Sequence, residues 1–170
     1  EVPKASGFSR PGSILGPFER LIYQASVDMI APAAESALNR EQVFSYALLG
    51  EDPNGFMFES ASDCFTKFKE KVIEYCQSGD YTHVLKADVA SFFERLYQHV
   101  LINLLNSAGC NNYIVSFLEK FMALLTQKDS HGIIQGVFPS DFLGNFYLCS
   151  LDAEHQINDI PFVRYVDDIY

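Results

Sequence analysis

Three carboxylates stand where apolar, strand-forming segments end. Asp88 closes the run His83-Val84-Leu85-Lys86-Ala87, and Asp167 and Asp168 follow Phe162-Val163-Arg164-Tyr165-Val166. Carboxylates projected from neighbouring strand ends can share hard divalent cations, which take oxygen ligands. Two such ions about 3.5–4 Å apart can activate an attacking oxygen and stabilise the leaving oxygen of a phosphoryl transfer. Aspartate is also a common turn former, so Asp88 reads as a strand-end residue and Asp167-Asp168 as a hairpin turn as well. Spacing alone leaves both readings open.

The elements that must hold these residues follow from periodicity and punctuation. Phe18, Leu21, Ile22, Ala25 and Met29 recur at helical spacing after Pro17, which predicts a helix broken or kinked near Pro32, with a second helical piece over Ala33–Leu38. Val43–Leu48 is rich in strand formers and leads into turn chemistry at Gly50–Gly55. A helix is predicted over Ser62–Gln77, with Ser60 or Ser62 as its N-cap and Gly79 beyond its end. Tyr81–Asp88 then reads as a strand. Helices over Leu96–Leu105 and Tyr113–Leu125 flank a turn at Gly109–Asn112, and a glycine-rich loop precedes a helix over Pro139–Ile157. The final strand is Ile160–Val166. This order fits a mixed α/β or α+β layer better than a helical bundle.

Composition bounds the functions such a layer could carry. With 170 residues, 48% of them hydrophobic, the chain suits one sizeable core and is short for two domains. The best apolar run, Tyr113–Leu125, is interrupted by Ser116, Glu119 and Lys120, so no membrane span is expected. The first residues carry neither an initiator Met nor the apolar stretch of a signal peptide, and read as trimmed rather than targeted. The four cysteines form no CxxC pair and suit buried thiols in a reducing, cytoplasmic setting, with Cys149 expected as a small buried hydrophobe. A formal charge of -10 argues against a binder that works by broad phosphate neutralisation. Lys67, Lys69 and Lys71 cluster on a predicted helix, as either a solvated face or a local nucleic-acid patch.

Three longer stretches narrow the chemistry. Lys86-Ala87-Asp88-Val89-Ala90-Ser91-Phe92-Phe93 resembles motif A of the reverse transcriptases, a metal-binding Asp followed five positions on by an aromatic. His131–Leu148, with Gln135-Gly136, Ser140 and Asn145-Phe146-Tyr147-Leu148, resembles motif B. Arg164-Tyr165-Val166-Asp167-Asp168 resembles the YxDD box of motif C, and the three occur in family order over roughly residues 40–170. Val43-Phe44-Ser45-Tyr46 and the run from Gln135 to Asp152 are similar to bacterial abortive-infection and defence-associated reverse transcriptases, and to retron or group II intron-like types, rather than retroviral ones.

This resemblance implies an α+β right-hand polymerase fold. Residues 1–80 would be an N-terminal helical region and fingers, and residues 81–170 a palm holding motifs A, B and C. Asp88, Asp167 and Asp168 would be the catalytic metal ligands for Mg²⁺, with Mn²⁺ as a substitute. Phe93 would lie under the sugar of the incoming nucleotide and exclude a 2′-hydroxyl. Gln135 and Gly136 would line the nucleotide pocket, and Tyr165 would lie near the primer end. Ala47 stands where relatives often carry a basic residue, and Arg40 is the substitute contact to the triphosphate. The implied partners are an RNA template, a DNA primer and product, and deoxynucleoside triphosphates. Template-independent synthesis and a non-catalytic, polymerase-derived binding or assembly module remain as alternatives. The chain is expected to stop before the returning strand of the YxDD hairpin, the remaining palm and the thumb. On that expectation Phe162, Val163 and Val166 are partly uncovered, and residues 1–170 alone are inactive and prone to self-association.

Overall fold

The computed structural model describes residues 2–3, 9–10, 14–50, 55–126 and 129–170. The turn expected over Gly50–Gly55 lies largely outside the described residues. Two short strands, β1 (Val2–Pro3) and β2 (Ser9–Arg10), pair antiparallel. The long helix α1 (Pro17–Glu35) begins with proline at its first position, where the missing N–H has no helical partner to lose.

Helix α1 differs from the sequence expectation in two ways. It runs unbroken through Pro32, which is exposed, so no separate helical piece forms over Ala33–Leu38. It also buries a different face: Tyr23, Val27, Ile30, Ala31 and Ala34 point inward while Phe18, Leu21 and Met29 remain exposed. Both faces of α1 are apolar, so period alone could not choose between them. The inward face carries Ala31 and Ala34, whose small side chains let neighbouring helices approach closely.

Helix α2 (Ala61–Ser78) starts after Ser60 and ends at Gly79, whose φ of 81° is the left-handed cap that glycine adopts without strain. Strand β3 (Ala87–Asp88) and the one-turn α3 (Phe92–Arg95) follow. Helices α4 (Gln98–Ser107) and α5 (Asn112–Leu125) pack on one another. Asn111 caps α5 by accepting the Tyr113 and Ile114 N–H groups at 3.0 and 3.4 Å. The single helix expected over Pro139–Ile157 divides at Leu148 into α6 (Phe138–Tyr147) and α7 (Cys149–Ile157). The chain closes with β4 (Arg164–Tyr165) and β5 (Asp168–Ile169).

One core joins the first and second halves of the sequence. Tyr23, Val27 and Ile30 of α1 share a single buried cluster with Leu101, Leu105, Leu118, Met122, Phe142, Leu143 and Phe146. The small antiparallel sheet, in the order β3-β5-β4, lies beside it. Only Ala87 and Asp88 of the expected strand Tyr81–Asp88 are in the sheet, because β5 offers a partner to just those two positions. Val43–Leu48 is likewise reduced to isolated bridges, Val43 to Arg164 and Leu48 to Phe58, and Tyr46 at φ 51° interrupts any ladder between them.

The returning strand of the hairpin is present, contrary to expectation. β5 pairs with β4 through Tyr165 opposite Asp168, and Val163 and Tyr170 exchange backbone hydrogen bonds of 2.9 and 3.0 Å. Phe162 and Val163 are 2% and 1% exposed, so both are covered contrary to expectation, while Val166 is half-buried. Cys64 and Cys110 are buried and Cys149 half-buried, whereas Cys76 is exposed rather than packed.

Gly144, inside α6, lies close against Phe92 and Phe93 of α3. A Cβ there would lie 2.8 Å from the Phe93 ring and 3.2 Å from the Phe92 ring. Replacing a helical Gly by Ala gains up to about 1 kcal/mol of propensity. Overpacking at a closed contact costs about 1–3 kcal/mol. Gly144→Ala is therefore expected to destabilise the protein by up to about 2 kcal/mol, measured by denaturant unfolding. A stabilised variant would show that the two rings yield freely.

Candidate active site

Strand pairing brings two of the three carboxylates together. Asp88 sits directly opposite Asp168 in the β3–β5 register, and Tyr165 is opposite Asp168 on its other side. Residues facing each other in an antiparallel pair project to the same side of the sheet, so Asp88, Tyr165 and Asp168 share a face. Two like charges at such positions repel. Lys86, two residues before Asp88 and thus on the same face, places its ammonium 3.1 Å from Asp168 Oδ1 and 5.0 Å from the centre of the Tyr170 ring. Tyr170 and Asp168 together hold the Lys86 ammonium above its ordinary pKa.

Asp167 occupies the turn itself, half-buried, between Tyr165 and Asp168. Its neighbour Val166 has a φ of 57°, a region that a β-branched residue enters only under constraint. Two-residue hairpins favour glycine where a central residue takes positive φ. The constraint on Val166 is a buried polar network. Ser45 Oγ accepts the Val166 N–H at 2.9 Å, and the Val166 carbonyl accepts from Arg164 Nη1 at 2.8 Å.

Arg164 is fully buried and is held on every side. Its Nε and Nη2 donate to the two oxygens of Asp152 at 2.8 and 2.5 Å, a bidentate pair. Nη1 also donates to Asn145 Oδ1 at 2.8 Å, and Nη2 to the Asn145 carbonyl at 3.1 Å. Asn145 Oδ1 accepts from Ser45 Oγ at 2.8 Å, while Asn145 Nδ2 donates to the Ser45 carbonyl at 2.9 Å. Four segments thus meet at the turn: the loop at Ser45, α6, α7 and β4.

The remaining expected site residues are dispersed around this turn. Phe93 is half-buried on α3, its ring edge-on to Phe92 at 5.2 Å and packed on Gly144. Gln135 is half-buried and Gly136 exposed in the loop before α6. Gly136 is required by its φ of 81°, since a Cβ there would meet nothing within 4 Å. Tyr165 packs between Phe65 and Phe68 of α2, with ring centroids at 5.2 and 5.7 Å, and its hydroxyl donates to the Ala61 carbonyl at 3.3 Å. It ties α2 to the hairpin.

Arg40 departs from its expected role as a triphosphate contact. Its guanidinium makes a bidentate pair with Glu35, both bonds at 2.6 Å, and donates to the carbonyls of Val43, Ser45 and Tyr46 at 3.2, 2.8 and 3.1 Å. All of its N–H groups are engaged, so it clamps the loop that carries Ser45. Lys67 and Lys71 are paired with Glu59 and Glu74, and Lys69 lies 5.0 Å from the Phe65 ring centre, which favours the solvated-face reading of that cluster.

The three carboxylates do not form a preformed cage. Among the described residues no group of three or more His, Cys, Asp or Glu is arranged to hold a metal ion. Of the three expected ligands, Asp168 is engaged by Lys86 at 3.1 Å in an exposed ion pair. The donor chemistry of Asp88 and Asp167 fits Mg²⁺ nonetheless, because that ion is usually bound by one or two carboxylates and completed by water and substrate phosphates. A cleft of about 670 Å³ between α2, α7 and residues 81–87 has no carboxylate in its lining, although Ala87, Ile169 and Tyr170 beside the acidic residues border it.

Two site residues escaped the sequence reading. Burial pushes the Asp141 carboxyl, in the first turn of α6, up to about 6. Tyr46 is raised well above its ordinary value by burial, then by the charges of Asp141, Tyr165 and Asp167, so these groups lie within electrostatic reach of one another. Arg164 itself had a legible signal, since a charge inside the apolar run FVRYV demands a buried partner.

No family model matches the chain. It is distantly similar to the COX1/OXI3 intron 2 protein of Saccharomyces cerevisiae, 28% identical over 159 aligned residues. The match covers 89% of this chain and 17% of that protein, so the chain spans about a sixth of its relative. Among the described residues no helix is long and apolar enough to cross a membrane.

The raised Asp141 carboxyl makes a pH prediction. Its folded pKa of about 6 lies above its ordinary 3.8, so the folded state binds more protons between those values. The stability of the wild type relative to Asp141→Asn is therefore greatest below about pH 4 and falls as pH rises through about 6. The advantage of the variant is expected to grow by up to about 3 kcal/mol between pH 4 and 7. Paired denaturant titrations measure it, and a pH-independent difference would show that Asp141 is well solvated.

Proposed function

We propose that this chain is the catalytic part of an RNA-directed DNA polymerase, a reverse transcriptase of intron-encoded or bacterial defence type. The observation that carries the reading is the register that sets Asp88 opposite Asp168, with Asp167 in the adjoining turn. The order of the three motif-like stretches and the distant similarity to an intron-encoded protein support it.

In this reading a primer 3′-hydroxyl attacks the α-phosphate of a deoxynucleoside triphosphate. The new bond joins the primer oxygen to the α-phosphorus, the bond to the bridging oxygen breaks, and pyrophosphate leaves as the hydroxyl proton passes to solvent. Asp88 and Asp167 would hold Mg²⁺, or Mn²⁺ in its place, through hard oxygen donors. When bound, the metal neutralises phosphate charge and favours the deprotonated hydroxyl. Phe93 lies beneath the sugar, while Gln135 and Gly136 border the base and template. Lys86 keeps Asp168 paired and so limits the repulsion that three adjacent carboxylates create. RNA template, DNA primer and the triphosphates are the proposed partners.

A second reading, a polymerase-derived binding or assembly module without turnover, is favoured by the full engagement of Arg40 and by the net charge of -10. Template-independent synthesis differs from the first reading only in its substrate. Primer extension by the whole protein with RNA templates, DNA templates and no template separates the three.

Asp88→Asn and Asp167→Asn are expected to lower nucleotide incorporation roughly 10²-fold or more, the order seen when one transition-state stabiliser is removed. Asp88 is exposed and its loss leaves the core intact, so unchanged circular dichroism should accompany the defect. Near-normal incorporation by either variant, in folded protein, would return these residues to turn formation. Asp168→Asn is expected to have the smaller effect.

Phe93→Ala is expected to raise ribonucleotide use relative to deoxynucleotide use. The readout is the ratio of kcat/KM for the two sugars in wild type and variant. An unchanged ratio would make Phe93 a packing residue of α3 and α6 only.

A further inference from the structure

Val166 is a β-branched residue held at φ 57°, and two hydrogen-bonding side chains converge on it. Its N–H is taken by Ser45 Oγ, and its carbonyl by Arg164 Nη1. Arg164 is aimed by Asp152 on α7, which accepts from both Nε and Nη2, and by Asn145 on α6. All five N–H groups of Arg164 are matched by acceptors inside a region where Arg164, Asn145 and Ser45 are at most 1% exposed. Such a site tolerates little rearrangement, because any broken bond leaves a buried polar group unpaired. Left to local preference, a valine would leave the left-handed region and take the turn with it. Asp167 is the next residue.

We propose that Asp152 and Arg164 are positioning residues that force Val166 into its left-handed conformation and so deliver Asp167 to the reacting centre. Neither residue touches the reacting atoms. The proposal rests on the reading of Asp167 as a metal ligand for its catalytic consequence, but the conformational claim stands on the network alone. It predicts that removing the pair frees the turn without unfolding the protein. A buried ion pair exchanged for apolar residues of similar volume is often close to neutral for folding, whereas loss of one partner is not.

The test is the double variant Arg164→Met with Asp152→Leu, made in the whole protein. Two readouts are taken together: steady-state incorporation and amide hydrogen exchange at Val166. The expected result is a kcat lower by about 10²-fold, the scale for a reacting group misplaced by about 1 Å. KM for the triphosphate should change little, and exchange should be faster at Val166 but unchanged in α5 and α6. Adding Val166→Gly to the double variant should restore most of kcat, because glycine takes positive φ without the network. A purely structural role for the pair gives no such rescue.

Ser45→Ala is the second variant, for the case in which the double variant does not fold. It keeps the ion pair, removes the acceptor of the Val166 N–H, and is expected to move both readouts in the same direction. Wild-type exchange at Val166 in a folded variant overturns the proposal, with or without loss of kcat. Absence of incorporation by the wild type overturns the polymerase reading instead, and the exchange data then decide the positioning claim by themselves.

Discussion

A single buried guanidinium governs the arrangement of this molecule. Arg164 has no exposed surface, and burying a charge is costly unless it is paired and hydrogen-bonded throughout. Asp152 answers the charge with a bidentate pair, and Asn145 and the Val166 carbonyl take the remaining directions. These partners come from α7, α6 and the hairpin turn, so satisfying one side chain fixes the relative placement of three elements. The backbone of Arg164 adds a fourth, accepting from Phe44 and donating to Gln42.

The loop at 43–46 is the least regular part of this assembly and the most heavily tethered. Arg40 engages its carbonyls from one side while pairing with Glu35 at the end of α1. Ser45 engages Asn145 and Val166 from the other. Two arginines thereby connect the long N-terminal helix to the acidic hairpin through hydrogen bonds rather than apolar packing. The aromatic contacts of Tyr165 with Phe65 and Phe68 add a second link, between α2 and the same hairpin. A sheet of three two-residue strands has little cohesion of its own. Its geometry comes from what surrounds it.

Electrostatics divides the acidic residues into distinct roles. Asp152 is neutralised within the core, Asp168 is paired at the surface by Lys86, and Asp141 sits where burial favours its protonated form. Asp88 is exposed and lies across from Asp168. The chain's excess of acidic residues is therefore not a uniform field. Carboxylates crowded at the hairpin coexist with a buried carboxylate whose charge is already balanced.

The sequence by itself determined where α2, α4 and α5 form and which residues are candidates for chemistry. Ser60 and Gly79 bracket α2, Asn111 opens α5, and the acidic ends at Asp88 and Asp167-Asp168 stand out because carboxylates after apolar runs are visible in one dimension. Tertiary structure decided the rest, because those choices depend on partners distant in sequence. Which face of α1 turns inward was settled by α5 and α6, not by its own apolar pattern. How far β3 extends was settled by the two residues that β5 offers it. Arg40 and Arg164 look alike as charges in a sequence, but one clamps a loop and the other is locked in the core by an aspartate on another helix. A carboxylate's role likewise depends on whether a lysine, an arginine or solvent faces it. Local spacing cannot encode that, because Coulomb interactions and desolvation act through space and not along the chain.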